Sequence, residues 1–334
     1  MELNNAIIDV IYTECAELKL WNKYRVCAID GTTIELPNTE LLRNEFGYAK
    51  NQYAEVAIAR ASASCIFDVL NKFVITSKID RYKTSERKTA IEMILEMKQD
   101  NKLMKELMLF DRGYPSQELI AELIKMNINF VMRLKNSTFR KKINAANQDQ
   151  IIQIKYNKRI YDVRIIKFHL ESGVEEVLVT NLFDESITLS DFKKLYFMRW
   201  GIEIKYDELK NRLEIENFTG TTKIAIEQDF YASIYLSNMI ELARKDSDEF
   251  VAFQRKDKNN KYEYKTNFNI LIGSLKDKLI MMYLEESPRK RNKIYKDIME
   301  KVSRSDIPIR PDRQNSRIKK FARGKYKTNK KRSL

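Results

Sequence analysis

The stretch "YRVCAIDGTTIELP", residues 24–37, decides the fold. Val26 to Ile29 form an unbroken apolar run, and Asp30 and Gly31 follow at once. Read locally, this is a strand, an Asp-Gly turn and a second extended piece closed by Pro37. A strand that is apolar at successive positions is buried on both faces, as the central strands of α/β sheets are. A second such run, "ELMLFDRGYPS" (106–116), ends on Asp111 as the first ends on Asp30. In an open α/β sheet, ligands bind in the crevice at the carboxyl ends of the strands. If the two strands are neighbours, their carboxylates face each other and repel unless a cation lies between them. Taken singly, each aspartate also has an ordinary reading. Asp-Gly is a common hairpin dipeptide, and an acid before a helix is a common turn residue.

Working outward, residues 1–22 read as a short helical lead-in. "ASASCIFDVLNKFVITSKI" (61–79) reads as two strands meeting near Leu70–Lys72. "TSERKTAIEMILEMKQ" (84–99) is a helix with Thr84 or Ser85 as its N-cap. Pro115 opens a helix running to about Met126, and "NFVMRLK" (129–135) is another strand. Residues 136–183 then alternate and are rich in Ile and Val. This predicts an antiparallel β-rich insertion, separate from the main sheet. Helices are expected from about Ser190, over 223–245 and over 267–285. The economical account is a mixed α/β core, residues 23–135 and 184–285, interrupted by the β block at 136–183. A basic helix and tail fill 286–334.

The helix from Ser190 carries "YFMRWGIEIKYDELK" (196–210). At about 100° per residue, Tyr196, Arg199, Glu203 and Lys210 fall within roughly 60° of one another. Leu195, Met198, Ile202, Leu209 and Leu213 make the neighbouring apolar face. Trp200 points some 40° to the other side of Tyr196 and reads as core or as a stacking residue. One carboxylate flanked by two cations and a phenol suits a site that handles phosphate. The competing reading is a solvated face with an ordinary Arg199–Glu203 ion pair.

Composition narrows the chemistry. The chain carries a net charge of +14 and a single histidine, His169. Ser-His-Asp, Cys-His and multi-histidine metal catalysis are thereby disfavoured. Cys15, Cys27 and Cys65 show no CxxC spacing, so neither a zinc site nor a disulfide framework is expected. Carboxylates remain, and these prefer hard cations such as Mg²⁺. Asp30, Asp111 and Glu203 together would suit a pair of such ions, which clamps the attacking and leaving oxygens of a phosphoryl displacement. Residues 310–334 hold eleven lysines and arginines against one aspartate. Such a tail neutralises phosphates and favours a nucleic-acid partner. No run of 18 apolar residues and no signal peptide is visible, so no membrane partner is expected.

At these residues a family resemblance emerges. Asp30 in "AIDGTTIELP", Asp111 in "LFDRGYPS", and the spacing of Tyr196, Arg199, Glu203 and Lys210 resemble the DDE transposases of the insertion-sequence-four group. "ENFTGTTKIAIEQDFYASIYLSNM" (216–239) and the basic tail are similar to that family as well. The resemblance implies a ribonuclease-H-like mixed sheet flanked by helices, with the β-rich insertion before the last catalytic helix. It implies Asp30, Asp111 and Glu203 as catalytic metal ligands for Mg²⁺ or Mn²⁺, two ions in number. It implies Tyr196, Arg199 and Lys210, with Arg112 and Trp200, as DNA-binding residues. The partners would be transposon inverted-repeat ends and target DNA, engaged by a homodimer in a bacterial cytoplasm. The reaction would be cleavage at the ends and joining of the freed 3′-hydroxyl to target DNA, often through a hairpin. Family members carry a helical DNA-binding domain ahead of the first aspartate. Only residues 1–29 precede Asp30 here, too few for an independent domain. Two alternatives stay open: a DNA-binding remnant without activity, and a ribonuclease-H-like nuclease that does not join strands.

Overall fold

In the computed structural model, β1 (Arg25–Glu35) is one continuous strand of 11 residues. The Asp-Gly turn expected within it does not form. Its pairing with β3 (Ile58–Asp68) is unbroken from Cys27↔Asp68 to Glu35↔Arg60, with Gly31 opposite Ser64. Gly31 is not among the glycines of positive φ. Pairing with a long antiparallel neighbour overrides the local preference of the dipeptide. The structure describes residues 1–14, 17–50, 57–99, 104–135, 137–144, 146–256 and 260–310. The expected basic tail lies outside them from residue 311 onward.

On its other side β1 pairs in parallel with β5 (Glu106–Phe110), which in turn pairs in parallel with β6 (Asn129–Arg133). β3 also pairs with β4 (Val74–Arg81) and with the two-residue β2 (Tyr48–Ala49), both antiparallel. The order β4–β3–β1–β5–β6, antiparallel then parallel, is ribonuclease-H-like. The apolar runs are buried as a central position demands, and so is every residue of β5 and each of the first five of β1. At the base of this pair Arg25 and Glu106 form a buried ion pair, Nε to Oε2 at 3.0 Å, with the guanidinium over the Tyr12 ring.

The insertion is antiparallel, as expected: β7 (Asp149–Tyr156), β8 (Arg159–His169) and β9 (Glu175–Thr180). A two-residue turn, Asn157–Lys158, joins the first pair with both residues at positive φ. The expected separation from the main sheet is corrected. β9 pairs with β6, Val131↔Thr180 to Arg133↔Leu178, so the three strands extend one nine-stranded sheet. Val131, Met132, Leu178, Val179 and Thr180 along this seam are all buried, which is why the two strands seal against each other.

Helices flank the sheet. α1 (Glu2–Glu14) packs on β4 through Ile8 and Ile11, and the Asn4 amide donates to the carbonyl of Ile75 at 3.3 Å. α2 (Glu40–Phe46) packs on β3, α3 (Glu86–Gln99) on β3 and β4, and α4 (Gln117–Lys125) on β6 and β7. The single helix expected to begin near Ser190 is divided into α5 (Leu189–Phe197) and α6 (Trp200–Asn211). A tight turn at Met198–Arg199 joins them, through i→i+3 bonds such as Arg199 N–H to the Tyr196 carbonyl. Arg164 of β8 fixes the start of α5. Its guanidinium grips Asp149 and donates to the carbonyl of Asp184 at 2.7 Å, and Thr188 then caps α5 through a capping box with Asp191.

The chain divides into two compact units within α7 (Lys223–Arg255), the first being Met1–Ile234 and the second starting at Tyr235. Residues 235–285, expected with the core, belong to the second unit. There α8 (Phe268–Leu284) packs on α9 (Pro288–Ser303), and Arg255 pairs with Asp306. No helix among the described residues is long and apolar enough to cross a membrane.

Candidate active site

Ile29 and Phe110 are the last partners in the β1–β5 register. The next residue on each strand is Asp30 and Asp111. Adjacent strands lie about 4.8 Å apart, so the two aspartates stand side by side where the parallel pairing of β1 and β5 ends. Asp30 takes the Gly31 N–H on Oδ1 at 2.9 Å. Burial pushes its carboxyl up to about 6; the Glu86 and Asp111 carboxylates add to this, while the Gly31 N–H and Arg199 oppose it.

α6 docks on β1 at this point. The Tyr206 hydroxyl donates to the main-chain carbonyl of Asp30 at 2.7 Å. Glu203, one turn earlier on α6, is thereby brought to the site. Arg199 links the acids: Nη2 lies 2.8 Å from Glu203 Oε1 and Nη1 3.8 Å from Asp30 Oδ2. This guanidinium is buried, and its Nε has no hydrogen-bond partner. Tyr196 is buried too, its hydroxyl 3.4 Å from Asp111 Oδ1. Asp111, Tyr196, Arg199, Glu203 and Asp30 thus form one connected cluster.

Among the described residues no three or more His, Cys, Asp or Glu are gathered tightly enough to hold a metal ion. Arg199 stands between Asp30 and Glu203 where a shared cation would lie. The donor set nevertheless fits a hard cation. It offers oxygen only, and its crowded carboxylates are countered by one guanidinium.

The transposase DDE domain model matches residues 21–239. The chain belongs to this family. The DDE domain is the catalytic core of a transposase, and its members generally use divalent metals. Among solved structures, the cryo-EM structure of the piggyBac transposase synaptic complex with hairpin DNA is similar, at 8% identity and a TM-score of 0.46. The alignment covers 82% of this chain and 57% of that chain, so this chain spans little more than half the length of that transposase. No curated protein matches.

The remaining anticipated residues of this DDE domain lie in different settings. Lys210 reaches β1 rather than the carboxylates, donating to Thr32 Oγ1 at 2.8 Å and to the Thr33 carbonyl at 2.7 Å. Arg112 is exposed in the turn after Asp111. Trp200 is about half exposed, with the Arg199 guanidinium 5.3 Å from its ring centre. It lines an apolar cavity of 890 Å³ with Phe168, Val174, Tyr196, Phe197 and Met198.

Three residues beside the cluster were not singled out in the sequence. Tyr206 lies within the quoted stretch 196–210 and anchors α6 to β1. Glu86 lies in the first turn of α3, and its Oε1 is 3.1 Å from where a side chain on Gly31 would begin. Tyr114 sits in the quoted "LFDRGYPS" and carries an inaccessible hydroxyl without a partner. Burial pushes that phenol well up, and the Glu86, Asp30 and Asp111 carboxylates push it further.

Proposed function

We propose that this DDE domain cuts DNA at transposon ends and joins the freed 3′-hydroxyl to target DNA, with Asp30, Asp111 and Glu203 as its catalytic carboxylates. One observation carries the reading. Two aspartates stand next to each other where the parallel β1–β5 pairing ends, and a single arginine couples Asp30 to a glutamate on the helix docked there. Mg²⁺ or Mn²⁺, two ions in this reading, would stabilise the attacking and leaving oxygens of an in-line displacement. Asp30 and Asp111 would hold the metal from the sheet and Glu203 from α6. Tyr196 orients Asp111. Arg199, which neutralises Asp30 and Glu203 in the free protein, turns its fork to a phosphate of the bound DNA.

The cavity beside Trp200 supports a nucleic-acid substrate. It is apolar, walled by aromatic rings, and large enough for an unstacked base. The reading places the chain in the insertion-sequence-four group, acting on inverted-repeat ends as a homodimer in a bacterial cytoplasm. The test is a Mg²⁺-dependent assay on duplexes carrying the repeats that flank the gene. Cleaved and joined products are expected, and both are lost in Glu203→Gln with DNA affinity kept. Cleavage without joining would make the chain a nuclease. Binding without either product would overturn the reading.

A further inference from the structure

We infer that a basic cavity between the β6–β7 connection and the strands β8 and β9 seats a backbone phosphate of DNA, with Lys135 and Arg140 as its cations. The inference rests on the DNA-cutting reading above for the path of the duplex. It adds a contact on the insertion, away from the stripe on α5 and α6.

The cavity measures about 500 Å³, and its lining includes Lys135, Ser137, Thr138, Arg140, Lys167 and Glu175. Three cations and two hydroxyls thus stand against one carboxylate. This is donor chemistry for an anion, with a planar fork from arginine and a point charge from lysine.

The walls are fixed by bonds of their own. Lys167 is only 5% exposed, and its Nζ donates to the Asn144 carbonyl at 2.9 Å. Gln150 of β7 accepts the Asn144 N–H at 2.9 Å and returns its amide to the Asn144 carbonyl at 2.9 Å. The Thr138 N–H closes a turn on the Lys135 carbonyl at 2.8 Å. The neighbouring arginines are occupied, Arg133 by Glu176 and Arg164 by Asp149. Lys135 and Arg140 are exposed, and among the described residues neither forms an ion pair.

Position selects DNA over a small anion. Phe110 and Met132 are the last partners in the β5–β6 register, so Asp111 and Arg133 come next on their strands. The chain therefore leaves β6 at the end where β5 delivers Asp111. Lys135 follows two residues later, about 7 Å further at extended spacing and one strand over. A duplex engaged at Asp111 runs past these side chains. A phosphate held there would set its register without reading its sequence.

The experiment measures binding of the full chain to a random-sequence duplex across a salt series, in chelator. Wild type is compared with the double variant Lys135→Ala, Arg140→Ala and with Lys141→Ala and Glu175→Gln. The double variant is expected to flatten the salt slope by about 0.9, the value for one phosphate, with its thermal midpoint unchanged. Lys141 adjoins Arg140 in the chain but does not line the cavity, and its loss is expected to leave the slope as it was. Glu175→Gln removes the one opposing charge and is expected to tighten binding by about twofold to fivefold. An unchanged slope in the double variant overturns the inference. So does an equal flattening in Lys141→Ala, which would mean diffuse surface charge. Inorganic phosphate is titrated into the same proteins. Saturation lost in the double variant while the DNA slopes stay equal would make this a free-phosphate site and overturn the DNA assignment. If the slope flattens as expected but wild type neither cuts nor joins transposon ends, the contact stands and the catalytic reading falls.

Discussion

The Tyr206 hydroxyl donates to the main-chain carbonyl of Asp30, so the helix that carries one acid is locked to the residue that carries another. The bond is part-buried and joins positions far apart in the chain. Glu203 is held relative to Asp30 by the backbone of Asp30 itself, independently of any side-chain ionisation.

Tyr206→Phe should therefore lower stability by about 1–2 kcal/mol, the cost of an unmade hydrogen bond in the interior. Strand cleavage should fall in rate while DNA affinity holds. Urea denaturation and a filter-binding assay separate the two effects. An unchanged denaturation midpoint would show that the bond does not anchor α6.

Lys210 offers a choice between two roles. The helical stripe suggests a DNA-binding side chain, but the ammonium is engaged by Thr32 and Thr33 on β1 and stands 4.0 Å from Glu216. Glu216 in turn accepts the Glu35 N–H at 3.1 Å. A brace for the far half of β1 predicts that Lys210→Ala costs about 1–2 kcal/mol of stability. The salt dependence of DNA binding should stay the same. A shallower salt slope with unaltered stability would restore the DNA-binding role.

Asp30 sets a pH dependence whose sign can be worked out. Its folded pKa, about 6, lies above the ordinary 3.8. The folded state thus holds this proton more tightly than the unfolded chain does. The stabilisation is full below the unfolded pKa and is lost as pH rises through the folded one. In chelator, wild-type stability should fall between about pH 4 and pH 6 relative to Asp30→Asn, which has no such proton. Thermal melts across that window check this. Parallel curves for the two proteins would mean that the carboxyl is not desolvated.

Deleting residues 310–334 removes eleven cations and one acid. DNA binding should weaken for all sequences alike. Every phosphate that the tail no longer neutralises should flatten the salt slope by about 0.9. Binding measured across a salt series gives the answer, and an unchanged slope would show that the tail does not touch DNA.

The two aspartates were legible in the sequence because burial on both faces writes itself as an unbroken apolar run, and each acid ends such a run. Helical spacing anticipated the closeness of Tyr196, Arg199 and Glu203, but neither the tight turn at Met198–Arg199 nor the reach of Lys210 to β1. Local propensity misjudged Asp30–Gly31, since the dipeptide favours a turn only where no long neighbour such as β3 claims both sides of it. The joining of β9 to β6 could not be read, because alternation fixes which face of a strand is apolar but not which edge it meets. Glu86 stayed hidden for a related reason. It lies against Gly31, which is distant in the chain and has no side chain to announce the approach.

The bonding of β9 to β6 has a consequence for assembly. Without it, the last parallel strand of the catalytic sheet would present an open row of amides and carbonyls to any passing chain. The insertion moves that sticky border outward by three strands, about 14 Å at ordinary spacing. The new border is β7, where Asp149 and Lys155 place charge among the exposed side chains. A foreign strand that docked there would meet charged gatekeepers well away from Asp111. The β block thus shields the sheet from edge pairing as well as buttressing the start of α5.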